Sequence, residues 1–335
     1  LVLLETVMMK LTSTKIQRAR FQALKSTLIR KWLNSSKDYP YRQTMNAASE
    51  ILVSNRWPST DLARITENIT IKQLEEWKEQ KFKRVSVDAL LHGNVNEETN
   101  EKLQRLLTEY LALAKIKPKK PELTELNRSV LLELEIDHDD ASMFIYLQDG
   151  DDEIRTRAIT SLAGQMLRTP YFSDLRTDQQ LGYVVNAGSR MIQDRNGLVF
   201  MVQSPAQAAD YLEEATNKFL SQYLVQLPKI TKVDFLQYKD GLVNNLTQKD
   251  KNLGQRSQRY WTDLKKGNLQ FNTRQQLADA VESLDIADIT SYLQNVQTQL
   301  KKERLLVFSR GKFNSSPQMG EKIQDSKAFK RSISQ

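Results

Sequence analysis

The 335-residue chain carries 49 Lys and Arg against 41 Asp and Glu, a net charge of +8, with 39% hydrophobic residues, four Trp, two His and no Cys. That length allows roughly two domains with cores of their own, and the apolar fraction excludes a disordered chain. The lack of cysteine excludes disulfides, a Cys-ligated zinc site and a Cys nucleophile, and no apolar run approaches the roughly 18 residues of a membrane-spanning helix.

The chain opens LVLLETVMMK, with no initiator Met and no basic region before an apolar one, so no targeting peptide is recognisable in it. Phe21, Leu24, Leu28 and Trp32 recur at spacings of three and four, which predicts an amphipathic helix over 14–35. A second helix is expected over 44–53, a short one after Ser59 and Thr60, and another after Thr70, where Gln73 completes a capping box. A strand over 85–91, closing at His92 and Gly93, and a long helix over 96–116 follow. Residues 129–136 and 141–147 read as two strands joined by the acidic turn 137–140, which holds His138. Ile154, Ala158, Leu162 and Met166 mark a helix over 152–168.

The stretch 170–204, PYFSDLRTDQQLGYVVNAGSRMIQDRNGLVFMVQS, follows that helix. Thr177 and Gln180 have capping-box spacing, so 178–181 should form a short helical turn that Gly182 stops. Residues 184–189 and 198–203 are β-prone runs separated by polar residues, and they read as an antiparallel hairpin opened by Tyr183. This arrangement brings Arg176 and Tyr183 to one sheet edge, where a polar ligand could meet both. A purely structural reading, in which Arg176 pairs with a carboxylate and Tyr183 packs, stands beside it.

Ser204, Pro205 and Gln207 predict a helix from 205 to 227, and Thr231 with Asp234 caps the next, bearing Phe235, Tyr238, Leu242 and Leu246. Helices over 253–266 and 273–282, one capped by Asp285 and Asp288, and a strand over 305–309 ending at Gly311 complete the pattern. The polar, Ser-rich tail from 314 should be loosely attached.

The densest basic run, KIKPKK at 115–120, is broken by proline and has no aromatic nearby, which describes a solvated loop and not a nucleic-acid surface. His92 and His138 stand 46 residues apart, in neither HExxH nor HxxEH, so this chain should hold no catalytic metal. The paired carboxylates at 97–98, 151–152 and 213–214 fall on helix starts or exposed faces, and no GxSxG elbow or phosphate loop is present. No self-contained catalytic constellation is legible.

The order of elements beginning at Phe21 and Thr70 recurs about 215 residues later, at Phe235 and Asp285, with Trp57 matched to Trp261 and residues 81–84 with Gly93 matched to 301–304 with Gly311. Such self-similarity signals a duplicated unit. The second copy would run from about 83 to 313 after only the last part of a first copy, so the chain is expected to be a piece of a larger protein.

LRTDQQLGY at 175–183, with the hairpin and the MVQS ending, resembles the RTxEQLGY region of the pitrilysin and insulysin (insulin-degrading enzyme) family of zinc metallopeptidases. ALLHGNV at 89–95 and SLAGQMLRTPYFSDLR at 161–176 agree with the same family, and the bacterial pitrilysin side is the nearer likeness. The resemblance implies an α+β fold of duplicated units, largely antiparallel sheet covered by helices, as in the mitochondrial processing peptidase/pitrilysin metallohydrolases. It implies the end of a third homologous domain over 1–82, a substrate-contacting fourth domain over 83–313 and a tail over 314–335. The chain would then be the non-catalytic C-terminal half, partnered by an N-terminal half that carries zinc on HxxEH and enclosing peptide substrates with it. Arg176 and Tyr183 match the family's substrate-contacting pair, Tyr183 assisting catalysis. Where members often have Glu, this chain has Asp178 and Gln179, and no acid is carried over. An inert subunit paired with an active peptidase is the alternative. A periplasmic location follows from the pitrilysin likeness, with cytoplasmic as the alternative.

Overall fold

Apolar residues at helical spacing dominate the first hundred residues, and the chain there forms α1 (Val2–Ser13), α2 (Arg18–Ser35), α3 (Pro40–Leu52), α4 (Ser59–Glu67), α5 (Ile71–Phe82) and α6 (Glu97–Tyr110). Strands β1 (Val130–Glu133) and β2 (Ala141–Gln148) follow, then α7 (Ile154–Phe172) and the hairpin of β3 (Val184–Ser189) and β4 (Gly197–Ser204). Next come α8 (Ala209–Gln226), α9 (Lys232–Thr247), α10 (Leu253–Lys266), α11 (Thr273–Glu282) and α12 (Ile286–Lys302), and last β5 (Leu305–Ser309), β6 (Glu321–Ile323) and α13 (Ser326–Ile333). The computed structural model describes residues 2–13, 15–116 and 119–333.

The strands make one six-stranded sheet in the order β3-β4-β2-β5-β1-β6. β2 lies antiparallel between β4 and β5, and β1 runs parallel to both β5 and β6. Because successive side chains point to opposite faces, Met143, Ile145 and Leu147 enter one core with α7, α8 and α12, while Phe144 and Tyr146 enter another with α3 and Phe329 of α13. All eight residues of β2 are therefore buried, and its sequence reads as one apolar run. Each large apolar side chain so enclosed contributes about 1.5–3 kcal/mol. Gly164 lets α7 lie directly on β3: a Cβ there would stand 2.9 Å from Gly188 C and closer still to Ser189 N.

The chain divides into two compact units. One comprises Leu1–Leu33, Ser59–Lys120 and Lys249–Asn272, and packs Leu103, Leu107 and Leu111 against Leu4, Met8 and Phe82. The other comprises Asn34–Pro58, Pro121–Gln248 and Thr273–Gln335, and holds the sheet.

The duplication is visible as a repeated device. Lys25 Nζ donates to the carbonyls of Glu67 (2.8 Å) and Ile69 (2.9 Å), beneath the ring of Phe21. Lys239 Nζ donates to Glu282 (2.5 Å) and Leu284 (2.8 Å), beside Phe235. Each lysine closes the C-terminal end of a helix, where carbonyls lack partners. Capping boxes then start α5 at Thr70 and Gln73 and α12 at Asp285 and Asp288, 215 positions apart. At that offset Trp57 corresponds to Asn272 and not to Trp261, which lies inside α10, so the tryptophan pairing is wrong.

Other expectations are corrected by the ladder and by local hydrogen bonds. Residues 85–91 form no strand: Val85 bridges Leu113 alone, and a strand needs a ladder of partners. That bridge also draws the chain out of α6 at Tyr110, where Leu111 is already extended. β1 and β2 are not a hairpin, since β5 separates them. The tail is anchored: β6 joins the sheet, Phe329 is buried, and the fully buried Arg304 donates from Nη2 to the Met319 carbonyl (3.1 Å) as well as to Glu213 (2.6 Å). Of the basic run at 115–120, Lys117 and Pro118 lie outside the described residues.

Candidate functional site

Helix α7 continues past Arg168 through Pro170, whose missing N–H leaves the Met166 carbonyl without its helical donor, and the Tyr223 hydroxyl donates to it instead at 3.4 Å. The chain then widens into a π-helical turn over Ser173–Asp178, with Gln179 N bonded to Asp174 O at 2.9 Å and Leu181 N to Leu175 O at 2.9 Å. The turn buries Leu175 and leaves Arg176 exposed. The expected capping box at Thr177 does not form. Gln180 instead adopts a left-handed φ of 54°, which ends the helical path. Gly182 follows because a Cβ there would meet the Gln203 backbone of β4, 3.0 Å from its carbonyl carbon and closer to its oxygen.

The hairpin itself is as expected, with Val184 opposite Gln203 and Ser189 opposite Leu198. Ser204 does not start a helix. Its Oγ donates to Leu181 O and accepts from the amides of Ala206 (3.1 Å) and Gln207 (3.0 Å), so the chain turns before α8 begins at Ala209.

Arg176 and Tyr183 do meet. Arg176 Nη1 donates to the Tyr183 carbonyl at 2.6 Å, and its guanidinium lies 5.0 Å from the centre of the Phe172 ring. Tyr183 is 46% exposed, at the end of the sheet's edge strand. Its phenol donates to Asp140 Oδ2 at 2.7 Å and accepts from Gln203 Nε2 at 2.6 Å. Gln203 Nε2 also donates to Asp140 Oδ2 (2.9 Å), and Gln203 Oε1 accepts from the Tyr41 amide at the start of α3 (3.1 Å). Desolvation, then the hydrogen bond to Asp140 and its negative charge, push the Tyr183 phenol up to about 12. The Asp140 amide donates to His138 Nδ1 at 3.0 Å.

Arg176 is thus tied to the backbone and not to a carboxylate, with its charge facing solvent. Asp140 and Gln203 join Tyr183 in the candidate site, and the sequence reading missed both. Gln203 gave a signal, as a polar residue on a strand otherwise rich in apolar residues, and Asp140 was hidden inside an acidic turn. His92 lies in the other unit, its Nδ1 2.7 Å from Ser257 Oγ and its ring against Tyr260. Among the described residues no group of three or more His, Cys, Asp or Glu could hold a metal ion, so the side chains present do not fit a zinc site.

The six-stranded, largely antiparallel sheet with helices on both faces is a fold found in solved structures of peptidases and of their inactive domains. Pitrilysin superposes with a TM-score of 0.82 at 18% identity, over 96% of this chain and 35% of pitrilysin. A peptidase M16 inactive domain from Pseudomonas fluorescens gives 0.63 at 14% identity, over 93% and 74%. In sequence, residues 1–65 match the middle or third domain of peptidase M16, and residues 162–261 match the C-terminal lobe domain 4 of PQQ synthase PqqF-like proteins. Relatives include the insulin-degrading enzyme of Drosophila melanogaster, 26% identical over 90% of this chain and 32% of that protein. The putative zinc protease mug138 of Schizosaccharomyces pombe is 26% identical over 88% and 31%. Together these matches support a likeness to the C-terminal part of M16 family peptidases. It spans about a third of the length of the curated relatives it matches.

Proposed function

We propose that this chain is the non-catalytic half of a zinc-dependent peptidase, enclosing peptide substrates in a chamber and completing an active site whose metal is held by a separate N-terminal half. The observation that carries the reading is the junction of Arg176 and Tyr183: an exposed guanidinium bonded to the backbone of an exposed tyrosine, at one end of an edge strand. An arginine held this way can grip a substrate carbonyl or carboxylate through its remaining nitrogens. A phenol beside it can donate to the oxyanion that develops as the scissile carbonyl is attacked, an interaction stronger in the transition state than in the bound substrate. Zinc in the partner half would supply the Lewis acid and the activated water. The residues of this chain grip, orient and donate.

Substitution separates the two roles. In an enzyme assembled from this chain and its HxxEH-bearing half, Tyr183→Phe is expected to lower kcat by roughly 10- to 100-fold with KM little changed, and Arg176→Ala to act mainly on KM. Unaltered kcat in Tyr183→Phe would remove the phenol from the mechanism.

The peptidase M16 inactive domain from Pseudomonas fluorescens favours a second reading, because this chain covers 74% of it. A free-standing inert subunit that docks on an active peptidase would use the same face and the same two residues.

A further inference from the structure

A tyrosine hydroxyl has one proton, and in this structure Tyr183 has already committed it. The phenol donates to Asp140 Oδ2 at 2.7 Å, and Gln203 Nε2 at 2.6 Å occupies a lone pair of the phenol oxygen. The acceptor is a carboxylate with 8% exposure, gripped by the same Gln203 amide, while Gln203 is itself fully buried and fixed by the Tyr41 amide. The cluster joins the start of β2, the end of β4 and the start of α3. It is therefore held by the fold, whereas the Tyr183 side chain is half in solvent.

We infer that Asp140 is a positioning residue for the proposed reaction: it holds the Tyr183 proton in a resting orientation, and the phenol serves substrate only when the developing oxyanion draws that proton away. The inference rests on the reading of Tyr183 as a transition-state donor. It differs from that reading in sign, because loss of Tyr183 slows turnover while loss of the Asp140 charge speeds it. A hydrogen bond to a charged acceptor outweighs one to a neutral amide by enough to change an equilibrium about fivefold. Asn at 140 keeps the size of the side chain and can still bond the phenol, but it competes less strongly for the proton. No proton leaves the phenol; it exchanges one acceptor for another.

The test is Asp140→Asn in the assembled enzyme, assayed on an internally quenched fluorogenic peptide, alone and combined with Tyr183→Phe. The expected result is a kcat about fivefold higher with KM unchanged, and no gain in the Tyr183→Phe background. A kcat that is unchanged or lower, or a gain that persists without the phenol, overturns the inference while leaving the transition-state role of Tyr183 to be judged from Tyr183→Phe alone. A second readout needs no turnover. With tyrosine ring carbons labelled and the Tyr183 resonance assigned by its loss in Tyr183→Phe, the phenol should titrate at a lower pH in Asp140→Asn than in the unsubstituted chain, while desolvation, the larger cause of its upward shift, still holds it above its ordinary value. A phenol that titrates at the same pH in both proteins would show that Asp140 does not hold the proton.

Discussion

Gly311 follows β5 with a left-handed φ of 59°, and it presses on the residue that positions Tyr183. A Cβ at 311 would stand 2.6 Å from Asp140 O and closer still to Asp140 C and Asp139 O. All three are backbone atoms, so no rotamer change relieves the clash. The Lys312 amide also bonds Asp139 O at 2.9 Å, which fixes the two segments together. Gly311→Ala should therefore incur about 1 kcal/mol for a left-handed alanine and about 1–3 kcal/mol for displacing packed backbone, about 2–4 kcal/mol in all. With a urea slope of about 2 kcal/mol per molar, the unfolding midpoint of the sheet-bearing unit drops by about 1–2 M. Gly150→Ala is the control in the same unit: nothing lies within 4 Å of a Cβ added there, and the stability should stay within about 0.5 kcal/mol of the original. A Gly311→Ala midpoint no lower than that of the control would refute the claim that this close approach fixes Asp140.

Burial pushes the Asp149 carboxyl up to about 6, against the opposing hydrogen bonds from Thr160 (2.6 Å) and Tyr292 (2.9 Å). A folded-state pKa above the unfolded value of about 3.9 means that the folded protein holds the extra proton, so stability is lost as pH rises from about 4 through 6, by up to about 3 kcal/mol. Asp149→Asn should flatten that slope in urea titrations across this range, and an identical slope in both proteins would contradict the assignment. Glu213→Gln leaves the fully buried Arg304 charge without its counter-ion and should cost about 3–5 kcal/mol, whereas Glu213→Leu with Arg304→Met should recover most of it. Equal losses in the single and double variants would mean that the pair acts through packing.

What the sequence made legible follows the range of the forces involved. Helices whose start is set by a side chain a few residues away were placed closely: Thr70 with Gln73, Thr231 with Asp234 and Asp285 with Asp288 all cap as expected. β5 was found because four apolar residues, Leu305 to Phe308, lie between a helix and a turn. Failures came where a distant partner decides. Residues 85–91 have strand composition but no ladder, and Ser204 has the chemistry of a helix cap but bonds Leu181 across the hairpin. The tail looked detached because the buried Arg304 that holds Met319 lies fifteen positions earlier in the chain. Within the candidate site, Arg176 and Tyr183 could be named from a local motif. Asp140, 43 residues before Tyr183, could not, because the sheet alone brings it there.

The central claim is that this chain completes an active site it does not itself contain. The most direct measurement is complementation: an HxxEH-bearing N-terminal half is assayed for cleavage of a fluorogenic peptide with and without added chain. The account predicts no cleavage by this chain alone, weak cleavage by the catalytic half, a saturable rise in kcat on mixing, and loss of most of that rise with Tyr183→Phe. A cleavage rate unaffected by the chain, or a full rise with Phe at 183, would contradict it.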